Sequence, residues 1–336
     1  MAARSRVEVL STHTPDLFGK AVARAAELLR AGEVVAVPTE TVYGLAANAL
    51  DPAAVARIYE AKGRPAHNPL IVHVADLTMA RRCVKQFSDT ATRLAKAFWP
   101  GPLSLVLNRS DIIPDLVTAG GGTVGIRWPS HPFIQQLIRA CDFPLAAPSA
   151  NRSNEVSPTN ADHVRKSLGD RIPLIIDGGQ SQVGIESTVL DLTVNPPRIL
   201  RPGMIHQESL ESVIGETGSG GDAAGTLLKS PGQLQKHYSP KARLRILSWK
   251  DDADLRSQLT KEGCTVANTH VIAHTNIPAS FEHVSVIPHD SEAFARALYA
   301  ELHRCDETGA ELIVVEAVPH GPEWQAIADR LQRASS

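Results

Sequence analysis

The chain has 336 residues, which at roughly 150 residues per domain allows two domains, each able to bury a core without a disulfide or metal staple. With 43% hydrophobic and 21% charged residues it has a folded, globular composition rather than a low-complexity one. The 34 Lys and Arg against 36 Asp and Glu leave a formal charge of -2, which excludes a global basic field, so any polyanion must be held by a local site.

Pro15 opens a helical pattern in which Phe18, Val22, Ala25 and Leu29 share one face, with Gly32 just beyond its end. The next stretch, EVVAVPTETVYGLAANAL, starts as a buried β-branched strand and passes at Pro38 into a polar loop. Periodicity then predicts helix 52–62, strand Leu70–Val74, helix 89–98, strands Leu103–Leu107 and Thr123–Arg127, and helix 131–140. Strand Pro144–Ala147, helix 160–168, strands Leu174–Asp177, Val189–Leu192 and Arg198–Leu200, and a short helix over 207–214 follow. Such alternation predicts a layered α/β domain. GETGSGGDAAGT reads as a small-residue linker; its glycines fit a dinucleotide fingerprint from Gly218, but no strand precedes them. From residue 244, RLRILSW, CTVANTHVIAH, a helix over 291–304 and ELIVVEAVP predict a second, smaller α/β unit.

Cys83, Cys141, Cys264 and Cys305 form no CxxC pair or finger-like spacing and suit a reducing compartment. The N-terminus lacks the apolar core of a signal peptide and no apolar run reaches membrane-spanning length, so the expectation is a cytoplasmic protein without stable membrane association.

Chemistry concentrates at the strand ends. PTETVYGLAANA brings Thr39, Thr41 and Tyr43 into a loop after a buried strand, where α/β folds bind ligands; the plain alternative is a turn whose threonines bond their own backbone. AKGRPAHNPLIVHV sets Lys62 and Arg64 around Gly63, a pair suited to phosphate oxygens, against the alternative of a solvated turn. His73 on the following strand is either a site residue or a satisfied core histidine. Arg127, ending the strand after Gly120 to Gly122, offers a fork for an amino-acid carboxylate, or else pairs with a protein Asp or Glu. Ser149, Asn151, Ser157, Ser187 and Arg201 add hydroxyls, an amide and another cation. SPGQLQKHYSPKARL, with Pro231-Gly232, His237-Tyr238 and Pro240, has the composition of a closing flap. No carboxylate cluster reads as a cation cage, so no protein metal site is expected.

In order, PTETVYGL, KGRP with NPLIVH, WPGPLSLVL, TVGIRWPSHP, APSANRSNEVSPT, GIESTVLDL, LRPG and PGQLQKHYSP closely resemble the YrdC family in its long, two-domain form, over most of residues 34–240. The resemblance implies a YrdC-like twisted mixed sheet with flanking helices over 1–214, a linker with an active-site flap over 215–243, and a smaller Rossmann-like accessory domain over 244–336. It implies a nucleotidyltransferase condensing ATP, L-threonine and bicarbonate or CO2 into threonylcarbamoyl-adenylate and pyrophosphate, with Mg2+ arriving on the ATP. By the same resemblance a separate tRNA threonylcarbamoyl-transferase machinery is expected to act next, and direct tRNA binding by this chain is expected to be weak or absent. Lys62, Arg64, Asn68, Ser149, Ser157 and Arg201 are thereby expected along the nucleotide, Thr123, Asn151 and Tyr238 as further contributors, and Lys62 and Arg64 as the catalytic pair. Thr39 or Thr41, His73, Arg127, Ala147 and Ser187 are expected around the threonine. The family's GLGANA is GLAANA here, at Ala46, and its PGPLT is PGPLS, at Ser104. The competing classes are an RNA-binding module, which the near-neutral charge disfavours, and a hydrogenase-maturation carbamoyl-transfer domain, whose acylphosphatase-like and zinc-binding regions are missing from the sequence.

Overall fold

The computed structural model describes residues 7–218, 228–232, 238–261 and 268–336. Most of the glycine-rich linker (219–227), part of the expected flap including His237 (233–237), and residues 262–267 with Cys264 lie outside the described residues. The chain forms two compact units, one of Met1–Ser153, Ser157–Gln182 and Glu186–Gln233, the other of Asn154–Val156, Val183–Ile185 and Leu234–Ser336.

The first unit runs β1 (Glu8–Ser11), α1 (Pro15–Arg30), β2 (Val35–Val37), β3 (Gly44–Asn48), α2 (Pro52–Lys62), β4 (Ile71–His73), α3 (Leu77–Arg82), α4 (Asp89–Phe98) and β5 (Leu103–Asn108). It continues with β6 (Thr123–Arg127), α5 (Pro132–Cys141), β7 (Leu145–Ala146), α6 (Ala161–Leu168), β8 (Leu174–Asp177), β9 (Thr188–Asp191), β10 (Arg198–Arg201) and α7 (Gln207–Ile214). Its strands form one mixed sheet in the order β1-β8-β2-β3-β7-β4-β6-β5-β9-β10. The central pairs β2/β3, β3/β7 and β7/β4 are antiparallel, whereas β4/β6 is parallel. The capping chemistry that starts the helices is local. Thr14 accepts the Leu17 N–H and Pro15 opens α1, while Asp51 and Pro52 do the same for α2. α1 buries Ala21, Val22, Ala25, Ala26 and Leu29, and its Phe18 meets Phe133 of α5 edge-on at 5.5 Å.

Residues 44–48, read from sequence as the end of a loop, form strand β3. Gly-Leu-Ala-Ala-Asn carries little intrinsic β signal, and the strand exists because β2 and β7 pair with it on either side. The expected strand at Pro144–Ala147 shrinks to the two residues of β7. β1 and α3 carried too short a pattern to be seen.

The second unit comprises β11 (Arg243–Leu247), α8 (Asp252–Lys261), β12 (Thr269–Ala273), β13 (His283–Val286), α9 (Ser291–Glu307), β14 (Leu312–Glu316) and α10 (Gln325–Ala334). Its sheet is parallel throughout, in the order β11-β14-β12-β13. Thr269–Ala273 and Leu312–Glu316 are buried along their whole length, as a parallel sheet covered on both faces requires. α8, β13 and α10 were missed in the sequence, and α9 runs three residues further than read, to Glu307. The expected class, a twisted mixed sheet with flanking helices plus a smaller Rossmann-like unit, is the class observed. Among the described residues no helix is long and apolar enough to cross a membrane.

Candidate functional site

The turn between β2 and β3 begins the site. Thr39 Oγ1 accepts the N–H groups of Thr41 at 3.2 Å and Val42 at 3.3 Å, donates to Val42 O at 2.6 Å, and lies 2.9 Å from Thr41 Oγ1. Thr39 therefore shapes its own turn, the plain alternative the sequence offered, while Thr41 is aimed across the sheet. There it accepts a 2.8 Å hydrogen bond from Arg127 Nη1, at the end of β6.

Arg127 is 4% exposed, and its fork is engaged on three sides. Besides Thr41, Nε donates to Gly101 O at 3.2 Å and Nη2 lies 2.7 Å from Glu40 Oε1. Its protein carboxylate, the second alternative above, is thus Glu40, inside the PTET motif but unassigned from sequence. Burial pushes the Glu40 carboxyl up, yet the charge and hydrogen bond of Arg127 together with the Ser130 N–H outweigh burial and hold it below the ordinary carboxylate range. His73 ends β4 and is the parallel cross-strand partner of Arg127. Burial, and then the Arg127 charge, lower its imidazole to about 3, so the ring is neutral at physiological pH.

Lys62 is the last residue of α2. Gly63, at φ 60°, ends the helix in the left-handed region that glycine enters without strain, and the reversal sends Arg64 inward. Both cations are buried, at 2% and 7% exposed, so the solvated-turn alternative fails. Lys62 Nζ donates to Ser149 O at 2.5 Å and to the Asn151 carbonyl, and lies 3.2 Å from Asn151 Oδ1. Arg64 donates to Asn68 O at 3.1 Å and Pro69 O at 2.9 Å. The Asn68 side chain is fully buried, and among the described residues neither Oδ1 nor Nδ2 has a hydrogen-bond partner. A buried amide left so costs about 1–3 kcal/mol unless something else bonds it.

A third group centres on Ser187. Its Oγ lies 2.9 Å from Ser104 Oγ on β5 and accepts from Arg201 Nη2 at 3.1 Å, while Arg201 Nε donates to Ser187 O at 3.1 Å. Arg201 Nη1 also donates to Pro231 O, 3.2 Å away. Ser157 donates to Glu186 Oε1 at 2.6 Å.

Backbone contacts join these groups. Gly101 O takes Arg127 and Pro102 O takes Thr188 N at 3.0 Å, so residues 101–104 tie the Arg127 group to the Ser187 group. Tyr43 N donates to Pro158 O, Ala150 N to Tyr43 O, and Ala147 N to Ile71 O, which draws in 147–151 and 157–158 with Ala147, Ser149, Asn151 and Ser157. Thr123 opens β6, one strand length, ~13 Å, from Arg127 at its other end. Tyr238 belongs to the second unit, 1% exposed, stacked on Tyr299 at 5.8 Å with the Arg330 guanidinium 5.3 Å from its ring. Glu40, Ser104 and Glu186 are the site groups that sequence reasoning left unassigned. For the two glutamates the available signal was charge: a carboxylate flanked by buried strands needs a partner.

Residues 27–203 match the family described as Telomere recombination, that of Sua5, YciO and YrdC, and residues 205–336 match the family described as threonylcarbamoyl-AMP synthase, C-terminal domain. The threonylcarbamoyl-AMP synthase of Pyrococcus abyssi is 42% identical over 324 residues, 93% of each chain. That of Bacillus subtilis is 41% identical over 333 residues, 97% of this chain and 94% of its own. The crystal structure of P. abyssi Sua5 complexed with L-threonine shares 39% identity at a TM-score of 0.89 and covers 98% of both chains. Escherichia coli YciO, at 25% identity and a TM-score of 0.52, covers 59% of this chain and 96% of its own.

Proposed function

The chain belongs to the Sua5, YciO and YrdC family, and from that membership we propose that it condenses L-threonine, bicarbonate or CO2 and ATP into threonylcarbamoyl-AMP and pyrophosphate. The observation that carries the reading is the burial of three cations, Lys62, Arg64 and Arg201, in one unit beside hydroxyls and the unsatisfied Asn68 amide. Cations withdrawn from water into a polar site suit a triphosphate, and nucleotidyl transfer depends on charge neutralisation and in-line positioning rather than on a protein nucleophile. The threonine amine captures CO2, a carbamate oxygen attacks the α-phosphorus, and the bond to the departing pyrophosphate breaks.

In this reading Lys62, Arg64 and Arg201 hold the phosphates, Asn68, Ser149, Asn151 and Ser157 bond the nucleoside part, and Thr41, His73, Arg127, Ala147 and Ser187 enclose the threonine. A neutral His73 supplies shape and a hydrogen bond without a second positive charge. The donors described are ammonium, guanidinium, hydroxyl and amide groups, with Glu40 on Arg127 and Glu186 on Ser157. Such a set fits Mg2+ carried by phosphate oxygens rather than by a protein cage. The product serves the separate machinery that threonylcarbamoylates tRNA.

The test is pyrophosphate release by purified protein, with and without L-threonine and bicarbonate, and with serine in place of threonine. Release that needs both threonine and bicarbonate is expected. Untouched ATP under every combination, with tRNA bound in a steeply salt-dependent manner, would replace the enzyme reading by an RNA-binding one.

A further inference from the structure

The second unit carries a group of imidazoles at the carboxyl ends of the neighbouring strands β14, β12 and β13. His274 and Thr275 follow β12, His289 lies beyond β13 just before Asp290, the N-cap of α9, and Glu316 ends β14. Three polar atoms close a triangle here. His274 Nδ1 is 2.8 Å from His289 Nδ1 and 2.9 Å from Thr275 Oγ1, and Thr275 Oγ1 is 3.1 Å from His289 Nδ1.

Hydrogen bonds do not satisfy all three sides. His274 Nε2 faces the Ala317 carbonyl at 3.3 Å, and a carbonyl only accepts, so the neutral ring carries its proton on Nε2 and a lone pair on Nδ1. That one in-plane lone pair is approached by both His289 and Thr275, and it makes a full hydrogen bond with one of them. A cation serves all three atoms together. Donors spaced this closely can each lie ~2.1 Å from one ion, with mutual angles near ~90°, the geometry of one face of an octahedron.

We propose that the second unit binds one divalent transition-metal ion through His274 Nδ1, His289 Nδ1 and Thr275 Oγ1, with water completing the coordination. Among the described residues no three His, Cys, Asp or Glu side chains gather to hold a metal, so the third ligand is the hydroxyl. Imidazole ligands select Zn2+, Ni2+ or Co2+ over Mg2+ and Ca2+. The surroundings hold the ligands in place. The Nε2–H to Ala317 contact is the outer-shell bond that orients a metal-binding imidazole. Glu316 accepts the N–H groups of His274 at 2.7 Å, Thr275 at 2.8 Å and Asn276 at 3.0 Å, which fixes the loop. The Trp324 ring packs against both imidazoles, with centroids at 5.9 and 5.4 Å. His274 is buried while Thr275 and His289 are exposed, so the ion enters from solvent. The site is independent of the catalytic reading above.

The experiment titrates tag-free, full-length, chelator-treated protein with ZnCl2 or NiCl2 by calorimetry and measures retained metal after dialysis. The expectation is one ion per chain, with affinity weakened roughly 100-fold in His289→Ala and about tenfold in Thr275→Val, and unaffected by excess Mg2+. His283→Ala serves as a control, since the His270 and His283 rings stack face to face at 4.3 Å and do not converge on a point. It should bind like the unmodified chain. His289 is exposed, so its loss spares the core, and circular dichroism checks this. No uptake by the unmodified chain, or equal uptake by His289→Ala, overturns the proposal.

Discussion

Arg127 brings a positive charge into the middle of the larger sheet, and Glu40 is the residue that stabilises it there. Removing one partner of a buried pair leaves the other uncompensated, at a cost of about 3–5 kcal/mol. Glu40→Gln should therefore lower the urea midpoint, and it should raise KM for threonine more than KM for ATP if Glu40 sets the orientation of Arg127. Two lowered pKa values in this group, those of Glu40 and His73, contribute to the pH dependence. Glu40 ionises more readily folded than unfolded, so its contribution is present above the ordinary carboxylate pKa and lost as the pH falls through its folded value. His73, at about 3 when folded, is outcompeted for protons by the unfolded chain between its ordinary pKa and 3. Its contribution is full above the ordinary imidazole pKa and declines as the pH falls from there toward 3. The unmodified protein should lose stability steadily from pH 7 to pH 4, and His73→Gln should show a shallower slope over the same range; an identical slope would exclude a buried neutral His73. At the nucleotide side, Lys62→Ala or Arg64→Ala should slow pyrophosphate release roughly 100-fold. Thermal melting distinguishes this from unfolding, and unchanged turnover would refute the phosphate-binding role.

Among the secondary elements, the short connections carry more of the site than the helices or strands do. The β2–β3 turn converts one hydroxyl, Thr39, into a scaffold so that the next, Thr41, can face Arg127. The turn after β10 does similar work at the other edge. A Cβ on Gly203 would meet Thr188 Oγ1 at 2.7 Å and the carbonyl carbon of Ser187 at 2.8 Å, with Thr188 N closer still. Gly203→Ala must displace the start of β9 and with it Ser187, the residue that Arg201 and Ser104 hold. The expected result is a loss of about 1–3 kcal/mol in chemical unfolding, together with a fall in threonine-dependent turnover. Ala46, where the family has glycine, causes no such conflict: it is buried within β3 opposite Val35. Ser104 keeps the hydroxyl of the family's threonine, and that hydroxyl is the atom in contact with Ser187.

Taken over the full chain, a charge of -2 means that attraction to nucleic acid has to come from local groups, and Lys62, Arg64, Arg127 and Arg201 of the first unit are buried. Retention of labelled tRNA should accordingly be weak at physiological salt, with a shallow dependence of affinity on salt concentration; a slope equivalent to several released counterions would contradict this. Each unit has its own apolar core, the second built around Trp249, Leu255, Val271 and Val314.

Periodicity in the chain was sufficient for the long helices and the buried strands, because amphipathic spacing and β-branched runs are local properties: α4 and β6 fall where they were read. Motif order likewise pointed to the family and its chemistry, since Lys62, Arg64, Ser187 and Arg201 lie in recognisable strings. The partners of those residues were not legible. Glu40 is 87 positions from Arg127 in sequence, and Ser104 is 83 from Ser187. Ser104 reaches Ser187 because β5 and β9 pair side by side, and Glu40 reaches Arg127 because the sheet sets the β2–β3 turn and the end of β6 within one layer although β7 and β4 lie between β3 and β6. The same pairing made β3 a strand against its composition and brought His274 to His289, two residues that in the sequence stand apart and carry no shared motif. Hydrogen-bonded strand pairing and charge burial act across space, so these features emerge when the chain is folded.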